Sequence, residues 1–147
     1  MRITICGSIA FYQKMIELAK ILEDLGHAVL LPPFEIADGA GNAMSVEKYY
    51  ELRKGGGDKE LWVWDAKEKA MRDHFEKVLK SDAILVLNYQ KNNIDGYVGA
   101  NTFLEMGLAF HNRKKIFLLN KIPNMSYSEE ILAMKPILIN NDLTQIR

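Results

Sequence analysis

One carboxylate lies in a segment of the sequence that is otherwise apolar. Glu105 is the only charged residue in the run TFLEMGLAF, residues 102–110, which has the composition of a helix covered on most sides. A buried carboxylate is costly unless it is paired or hydrogen-bonded, and burial raises its pKa toward values useful in catalysis. Glu105 is therefore a candidate catalytic residue. The alternative is a structural ion pair with Lys114 or Lys115, and the spacing alone does not separate the two.

A glycine-serine turn follows the first apolar run of the chain. Gly7 lets the backbone turn without a Cβ clash, and Ser8 presents a hydroxyl beside the free amides of the helix that follows Ile9. Such a turn can bind an anion or a hydroxyl-rich ligand. The competing interpretation is that Ser8 is only a helix N-cap.

Further candidates for ligand binding precede Glu105 in the sequence. Asn101 lies one helical turn earlier on the same side of the predicted helix, so the two side chains could hold a polyhydroxylated ring. Asn88 directly follows an apolar strand, and Gly99 begins the helix. Asp95 lies between them in an Asp-Gly sequence. Asparagine after a strand and Asp-Gly in a loop are both also typical of ordinary turns.

Apolar runs of strand length alternate with helical segments along the chain. Strands that are apolar on both faces are typical of a parallel sheet covered by helices on each side. We therefore predict an α/β fold with a flavodoxin- or Rossmann-like doubly wound parallel sheet of five strands in the order 2-1-3-4-5. The predicted strands are residues 3–6, 28–31, 83–87, 116–119 and 137–139, and the predicted helices are residues 11–25, 65–81, 99–111 and 126–134.

This topology predicts where a ligand would bind. The strand order reverses between the first and third strands, so a crevice opens beyond their carboxyl ends. The turn over residues 7–10 and the segment 88–101 are expected to line it, with Gly7, Ser8 and Ile9 as predicted substrate contacts. The start of the helix that carries Glu105 faces the same crevice.

Residues 33–62 form a long excursion with little periodicity, apart from a possible short helix over 45–53. Long ordered loops are typical of lids or binding loops, and disorder is the alternative. Trp62 and Trp64 at its end could stack on a base, or could anchor the excursion to the core.

The composition limits the classes of function. Nineteen basic and nineteen acidic residues cancel over 147 residues, a length suited to a single domain, 1–147. No basic block exceeds residues 113–115 and no apolar run is long enough to span a bilayer, so we predict no nucleic-acid or membrane partner. The lone cysteine, Cys6, excludes an internal disulfide, gives no metal-ligand motif and fits the reducing cytoplasm.

Three pieces of the sequence resemble the nucleoside 2-deoxyribosyltransferase superfamily, which includes deoxynucleoside 5′-monophosphate N-glycosidases. They are CGSI at residues 6–9, SDAILVL at 81–87 and GANTFLEMGLA at 99–109. The resemblance implies that Glu105, in the Glu-x-Gly-x-Ala signature, is the nucleophile that attacks the anomeric carbon of a nucleoside or nucleotide. It also implies a homodimer or higher homo-oligomer with sites completed across the interface, and no cofactor.

The sequence departs from the family pattern at three positions. His74 stands eight residues before Asp82, where the family commonly has an aspartate; Asp73 is adjacent but would point about 100° away on a helix. Thr4 replaces an aromatic hydroxyl, and Ala10 replaces the arginine of phosphate-using members. The resemblance therefore leaves the need for a 5′-phosphate open. His74 becomes a candidate acid or base, since imidazole titrates near neutral pH.

Two functions follow from these residues. One is an enzyme that cleaves or exchanges an N-glycosidic bond through Glu105, with Asp95 as a substitute for the acidic loop residue that transferases use. The other is a non-catalytic nucleotide-binding or sensing protein that has kept the pocket and lost the acid.

Overall fold

The apolar runs of the sequence form the strands of one main sheet. The computed structural model describes residues 1–147. The strands are β1 (Arg2–Gly7), β2 (Ala28–Leu30), β3 (Glu35–Ala37), β4 (Ala43–Ser45), β5 (Ala83–Leu87), β6 (Lys115–Leu118) and β7 (Ile137–Leu138). The main sheet is parallel, in the order β2-β1-β5-β6-β7. Counted within that sheet, this is the predicted order 2-1-3-4-5.

Helices cover both faces of this sheet. They are α1 (Tyr12–Asp24), α2 (Val46–Lys54), α3 (Leu61–Lys80), α4 (Ala100–His111) and α5 (Ser128–Ala133). Alternate residues of β1 enter two separate cores: Ile5 packs with α1, whereas Cys6 packs with α3, α4 and α5. The connection that follows β1 and the connection that follows β5 therefore run over opposite faces of the sheet. The predicted switch point lies between these two strands.

The excursion over residues 33–62 has secondary structure of its own. β3 and β4 form an antiparallel hairpin, and α2 follows with Ser45 as its N-cap. The Tyr49 hydroxyl donates to the Val63 carbonyl at 2.5 Å, which ties α2 to the start of α3. The helix expected over 45–53 is thus present, as α2 (Val46–Lys54).

Helix α3 begins at Leu61, four residues before the predicted start at residue 65. Both tryptophans of the segment lie in its first turn. The Trp62 indole donates to the Glu60 carboxylate at 2.5 Å and the Trp64 indole to the Asp58 carbonyl at 2.7 Å. These bonds hold the two indoles against the residues that precede the helix, and the Trp64 side chain stays 48% exposed rather than entering the core.

None of the five helices has the length and the apolar character that crossing a bilayer would require.

Candidate functional site

Helix α4 holds Glu105 in a buried position at the switch point. The side chain is only 2% exposed, although it carries the only acidic group of the helix. The Asn101 amide, one turn earlier, donates to Glu105 Oε1 at 2.9 Å, as the spacing predicted. Asn101 Oδ1 is buried and has no hydrogen-bond partner. An acceptor is therefore left over beside the carboxylate.

Two further side chains from two other elements meet Glu105. His74, 4% exposed on α3, places Nε2 3.8 Å from Glu105 Oε1. Cys6, fully buried near the end of β1, places Sγ 3.7 Å from the same nitrogen of His74. His74, singled out in the sequence because it stands eight residues before Asp82, thus lies against the Glu105 carboxylate.

Burial dominates the electrostatics of this cluster. It raises the pKa of Glu105 to about 7, against the opposing effects of a hydrogen bond with Cys6 and of the Lys67 charge. Burial, with the nearby Lys77 charge, lowers the pKa of His74 to about 4. At neutral pH the Glu105 carboxyl therefore keeps its proton more readily than an exposed glutamate does, and the His74 imidazole is neutral.

Lys114 and Lys115, the basic residues suggested as structural partners of Glu105, are engaged elsewhere. The Lys114 ammonium donates to the backbone carbonyls of Leu79 and Ser81, and the Lys115 ammonium donates to the carbonyl of Arg147. Neither lysine reaches the carboxylate.

The turn after β1 approaches the sheet as closely as glycine allows. A Cβ on Gly7 would lie 3.1 Å from the Leu87 carbonyl oxygen. Ser8 caps the short 3₁₀ turn Ile9–Phe11 by accepting from the Ala10 amide at 3.3 Å. Ser8 Oγ also accepts from Lys91 Nζ at 2.7 Å. The N-cap role and a link across the crevice are therefore both present.

Three cations surround the ring of Tyr50 on the excursion. Arg53 and Lys54 each lie 5.4 Å from its centroid, and Lys91 lies 5.8 Å away. Lys91 also lies 5.4 Å from the ring of Tyr97. None of the three cations forms an ion pair with a carboxylate. This group, the Tyr50 cation cluster, meets the turn at Ser8 through Lys91.

Asn88 has no free polar atom for a ligand. Its side-chain nitrogen lies within hydrogen-bonding distance of the backbone carbonyls of Lys121 at 2.8 Å, Asn120 at 3.2 Å and Gly96 at 3.3 Å. Its side-chain oxygen accepts from the backbone N–H of Asn120 at 2.8 Å. The side chain thus joins the loops after β5 and β6. A substrate contact of the Asn88 side chain would compete with this network, and the predicted contact stays a prediction.

Asp95 and Gly99 occupy different surroundings. Asp95 is exposed and pairs with Lys121 at 3.1 Å. Gly99 precedes α4 with extended backbone, and a Cβ there would lie 3.3 Å from the Tyr97 ring. Gly99 therefore lets Tyr97, a neighbour of Lys91, pack against the start of α4.

Two cavities adjoin the site without reaching Glu105. One of about 590 Å³ lies between the β3–β4 hairpin and α3, with Trp62, Asp65 and Asp73 among its lining residues. The other, about 440 Å³, is lined by Asn88, Asp95 and Lys121 among others. Since Glu105 is enclosed, a ligand can reach it only if a covering segment moves.

Two solved structures resemble nearly the whole chain. The CMP N-glycosidase BcmB of Clostridium botulinum matches with a TM-score of 0.51 at 17% identity, over 95% of this chain and 90% of that one. The 2-deoxyribosyltransferase of Bacillus psychrosaccharolyticus matches with a TM-score of 0.52 at 14% identity, over 94% of this chain and 98% of that one. This chain has the fold of both proteins. No family model and no curated protein matches the sequence.

The fold shared with these two proteins confirms the fold that the sequence motifs predicted. At such low identity the fold does not carry the roles of single residues across. The side chains that sequence reasoning missed are Cys6, Tyr50, Arg53, Lys67 and Lys91. Lys91 lies in the segment 88–101 that was expected to line the crevice, but no pattern marks a lysine that will pack between two tyrosines.

Proposed function

We propose that this chain cleaves or exchanges the N-glycosidic bond of a nucleoside or nucleotide, with Glu105 as the nucleophile. The observation that carries the proposal is a single carboxylate, that of Glu105, buried at the switch point and held by Asn101. Burial raises the pKa of this carboxylate to about 7. The fold shared with an N-glycosidase and a deoxyribosyltransferase supports it.

The reaction balances with Glu105 alone as the covalent group. One carboxylate oxygen attacks the anomeric carbon, the bond from that carbon to the base nitrogen breaks, and its electron pair leaves with the base. The base takes up a proton as it leaves, and the sugar is held as an ester of Glu105. Water or a second base then attacks the same carbon and frees the carboxylate. The unpaired Asn101 Oδ1 can accept from a sugar hydroxyl during these steps.

We assign His74 the role of a positioning residue in this reaction. Its imidazole lies 3.8 Å from Glu105 Oε1, and its pKa is lowered to about 4, so it is neutral at the pH at which the carboxylate must act. A neutral imidazole that orients a carboxylate does not need to titrate near pH 7. The proton that the leaving base takes up must then come from solvent.

Replacing His74 by alanine is expected to lower turnover about ten- to a hundredfold, because Glu105 loses a fixed neighbour. Glutamine, which keeps an N–H group, should restore most of the loss. Turnover measured over pH 5–9 should keep the shape of the unmodified profile in His74→Gln. If His74 were the acid, both variants would fall alike and the profile would change shape. His111→Gln, an exposed histidine on α4, is the control.

We propose a phosphorylated nucleoside as the substrate. The Tyr50 cation cluster carries Arg53, Lys54 and Lys91 without carboxylate partners, and Lys91 already contacts Ser8 Oγ at 2.7 Å. Ala10 supplies no charge where phosphate-using members of the resembled family have arginine. Cations from the excursion and from the loop after β5 would supply that charge instead.

Lys91→Met is expected to lower kcat/KM for nucleoside 5′-monophosphates about ten- to a hundredfold, the cost of one charge-assisted hydrogen bond. The corresponding nucleosides should be affected much less. Release of free base, measured by chromatography with both substrate classes, tests this expectation. Lys20→Met, which removes an exposed lysine of α1, is the control. Equal losses for nucleosides and monophosphates would contradict the phosphate assignment.

The activity itself is tested with a panel of ribo- and deoxyribonucleosides and their monophosphates, each with and without an acceptor base. Free base identifies hydrolysis, and exchanged base identifies transfer. The second candidate function, a nucleotide-binding or sensing protein, is supported by the enclosed position of Glu105 and by His74 in place of an acid. Tight binding of a nucleotide with no base release under any condition would favour it.

The homo-oligomer expected from the family resemblance stays a prediction, as does the cytoplasmic location. Exposed apolar side chains on adjacent helices fit such an assembly: Trp64 on α3, and Leu104 and Phe110 on α4.

A further inference from the structure

The cluster around Glu105 brings together three kinds of metal ligand. Cys6 Sγ, His74 Nε2 and a Glu105 carboxylate oxygen all lie within 4.8 Å of one another, and the three residues are 0%, 4% and 2% exposed. No sequence motif indicates this cluster, because the three residues are 31 or more positions apart and belong to β1, α3 and α4.

The separations of these atoms are close to those of a zinc site. Bond lengths of about 2.0–2.3 Å in a tetrahedral arrangement put neighbouring ligand atoms about 3.4–3.6 Å apart. The observed separations are 3.7 Å from sulfur to nitrogen and 3.8 Å from nitrogen to oxygen. If these two distances shortened by a few tenths of an ångström, and the distance between Cys6 Sγ and the Glu105 carboxylate by somewhat more, the three atoms would occupy three ligand positions of a tetrahedral zinc site.

We propose that Cys6, His74 and Glu105 bind a zinc ion, which occupies the carboxylate and thereby inhibits the reaction assigned to it. A thiolate, a neutral imidazole and a carboxylate together favour Zn²⁺ over Mg²⁺ or Ca²⁺, which prefer oxygen ligands alone. The Cys6 thiol gives up its proton to solvent on binding, since the ligand is the thiolate. The fourth position is left to water or to the second oxygen of Glu105.

Cobalt is the sharpest probe of this site. Co²⁺ takes similar coordination and, when bound to a thiolate, gives a sulfur-to-metal charge-transfer band in the near ultraviolet. The chain has a single cysteine, so such a band can arise only from Cys6. Titration of the reduced, metal-free full chain with Co²⁺ should produce the band at one equivalent, and Zn²⁺ should remove it by displacement.

Affinity for Zn²⁺ is then measured by competition with a chromophoric chelator. Cys6→Ser and His74→Gln should each weaken binding about a hundredfold or more, because loss of a direct ligand costs at least as much as loss of an outer partner. Melting curves check that each variant folds. If Cys6→Ser does not fold, Cys6→Ala takes its place in the affinity measurement. The double variant His27→Gln/His111→Gln removes the other two histidines and should bind as the unmodified chain does.

No charge-transfer band, or unchanged affinity in folded Cys6 and His74 variants, would overturn the site. This outcome is separate from that of the proposed function. Zinc bound at Cys6 in a chain that cleaves no nucleotide would leave the metal site standing and the glycosidase proposal without support. Where activity is found, Zn²⁺ should abolish it and a chelator should restore it.

Discussion

Replacing Glu105 by glutamine is expected to lower base release and base exchange by about a thousandfold or more. Glutamine keeps the shape and the hydrogen-bonding reach of the side chain, so Asn101 can still contact it. The amide, however, cannot form the sugar ester, and the covalent route is lost. The measurement is the single-turnover rate of base release with the best substrate of the panel.

A matched control for this variant lies on the neighbouring helix. Glu76→Gln makes the same chemical change at an exposed position of α3 and should leave the rate unchanged. Binding of the substrate to Glu105→Gln, measured by calorimetry, should persist, because the Tyr50 cation cluster is intact. A Glu105→Gln protein that keeps its rate within about tenfold would show that another group performs the chemistry.

The same substitution is expected to stabilise the fold at alkaline pH. Burial raises the pKa of Glu105 to about 7 in the folded chain, whereas an unfolded glutamate titrates at about 4.3. Between these values the folded chain holds a proton that the unfolded chain has lost, so the free energy of unfolding falls as pH rises through this window. At pH 8 the ionised carboxylate then costs about 3 kcal/mol, which glutamine removes.

The expected result is a gain of several degrees in the melting midpoint of Glu105→Gln at pH 8, which shrinks toward zero at pH 4.5. Melting curves are recorded with a chelator present, so that no metal ion contributes. The charged or titratable groups that bear on Glu105 are Cys6 from β1 and His74 and Lys67 from α3. Glu76→Gln should show no such dependence. A Glu105→Gln protein that is less stable at pH 8 would mean that a favourable ion pair holds the carboxylate.

The fold could be predicted from the sequence because each main-sheet strand is a short apolar run. Residues 83–87, for example, are buried on both faces, which only a covered parallel strand requires. Helix α3 began earlier than predicted because its first turn is held by bonds from Trp62 and Trp64 to preceding residues. Hydrogen bonds of this kind produce no periodic pattern in the sequence, so the helix start could not be predicted from periodicity.

The site could be predicted only in part. Glu105 stood out because a charge in an apolar helix is anomalous, and Asn101 followed from helical spacing. The meeting of Cys6 with His74 and of Lys91 with Ser8 depends on residues 68 and 83 positions apart, which no local pattern records. The hydrogen bonds of Asn88 to Asn120 and Lys121 could not be predicted, because only the sheet brings these residues together.

Trapping the sugar on the protein tests the central claim most directly. With a nucleotide that carries fluorine at C2′ of the sugar, release of the sugar ester is slowed, because the fluorine destabilises the oxocarbenium-like transition state. After acid quenching, mass spectrometry should find the sugar mass on the peptide that contains Glu105, and Glu105→Gln should carry none. Base release with no adduct on any residue, or with the adduct on a different residue, would contradict the assignment of Glu105 as the nucleophile.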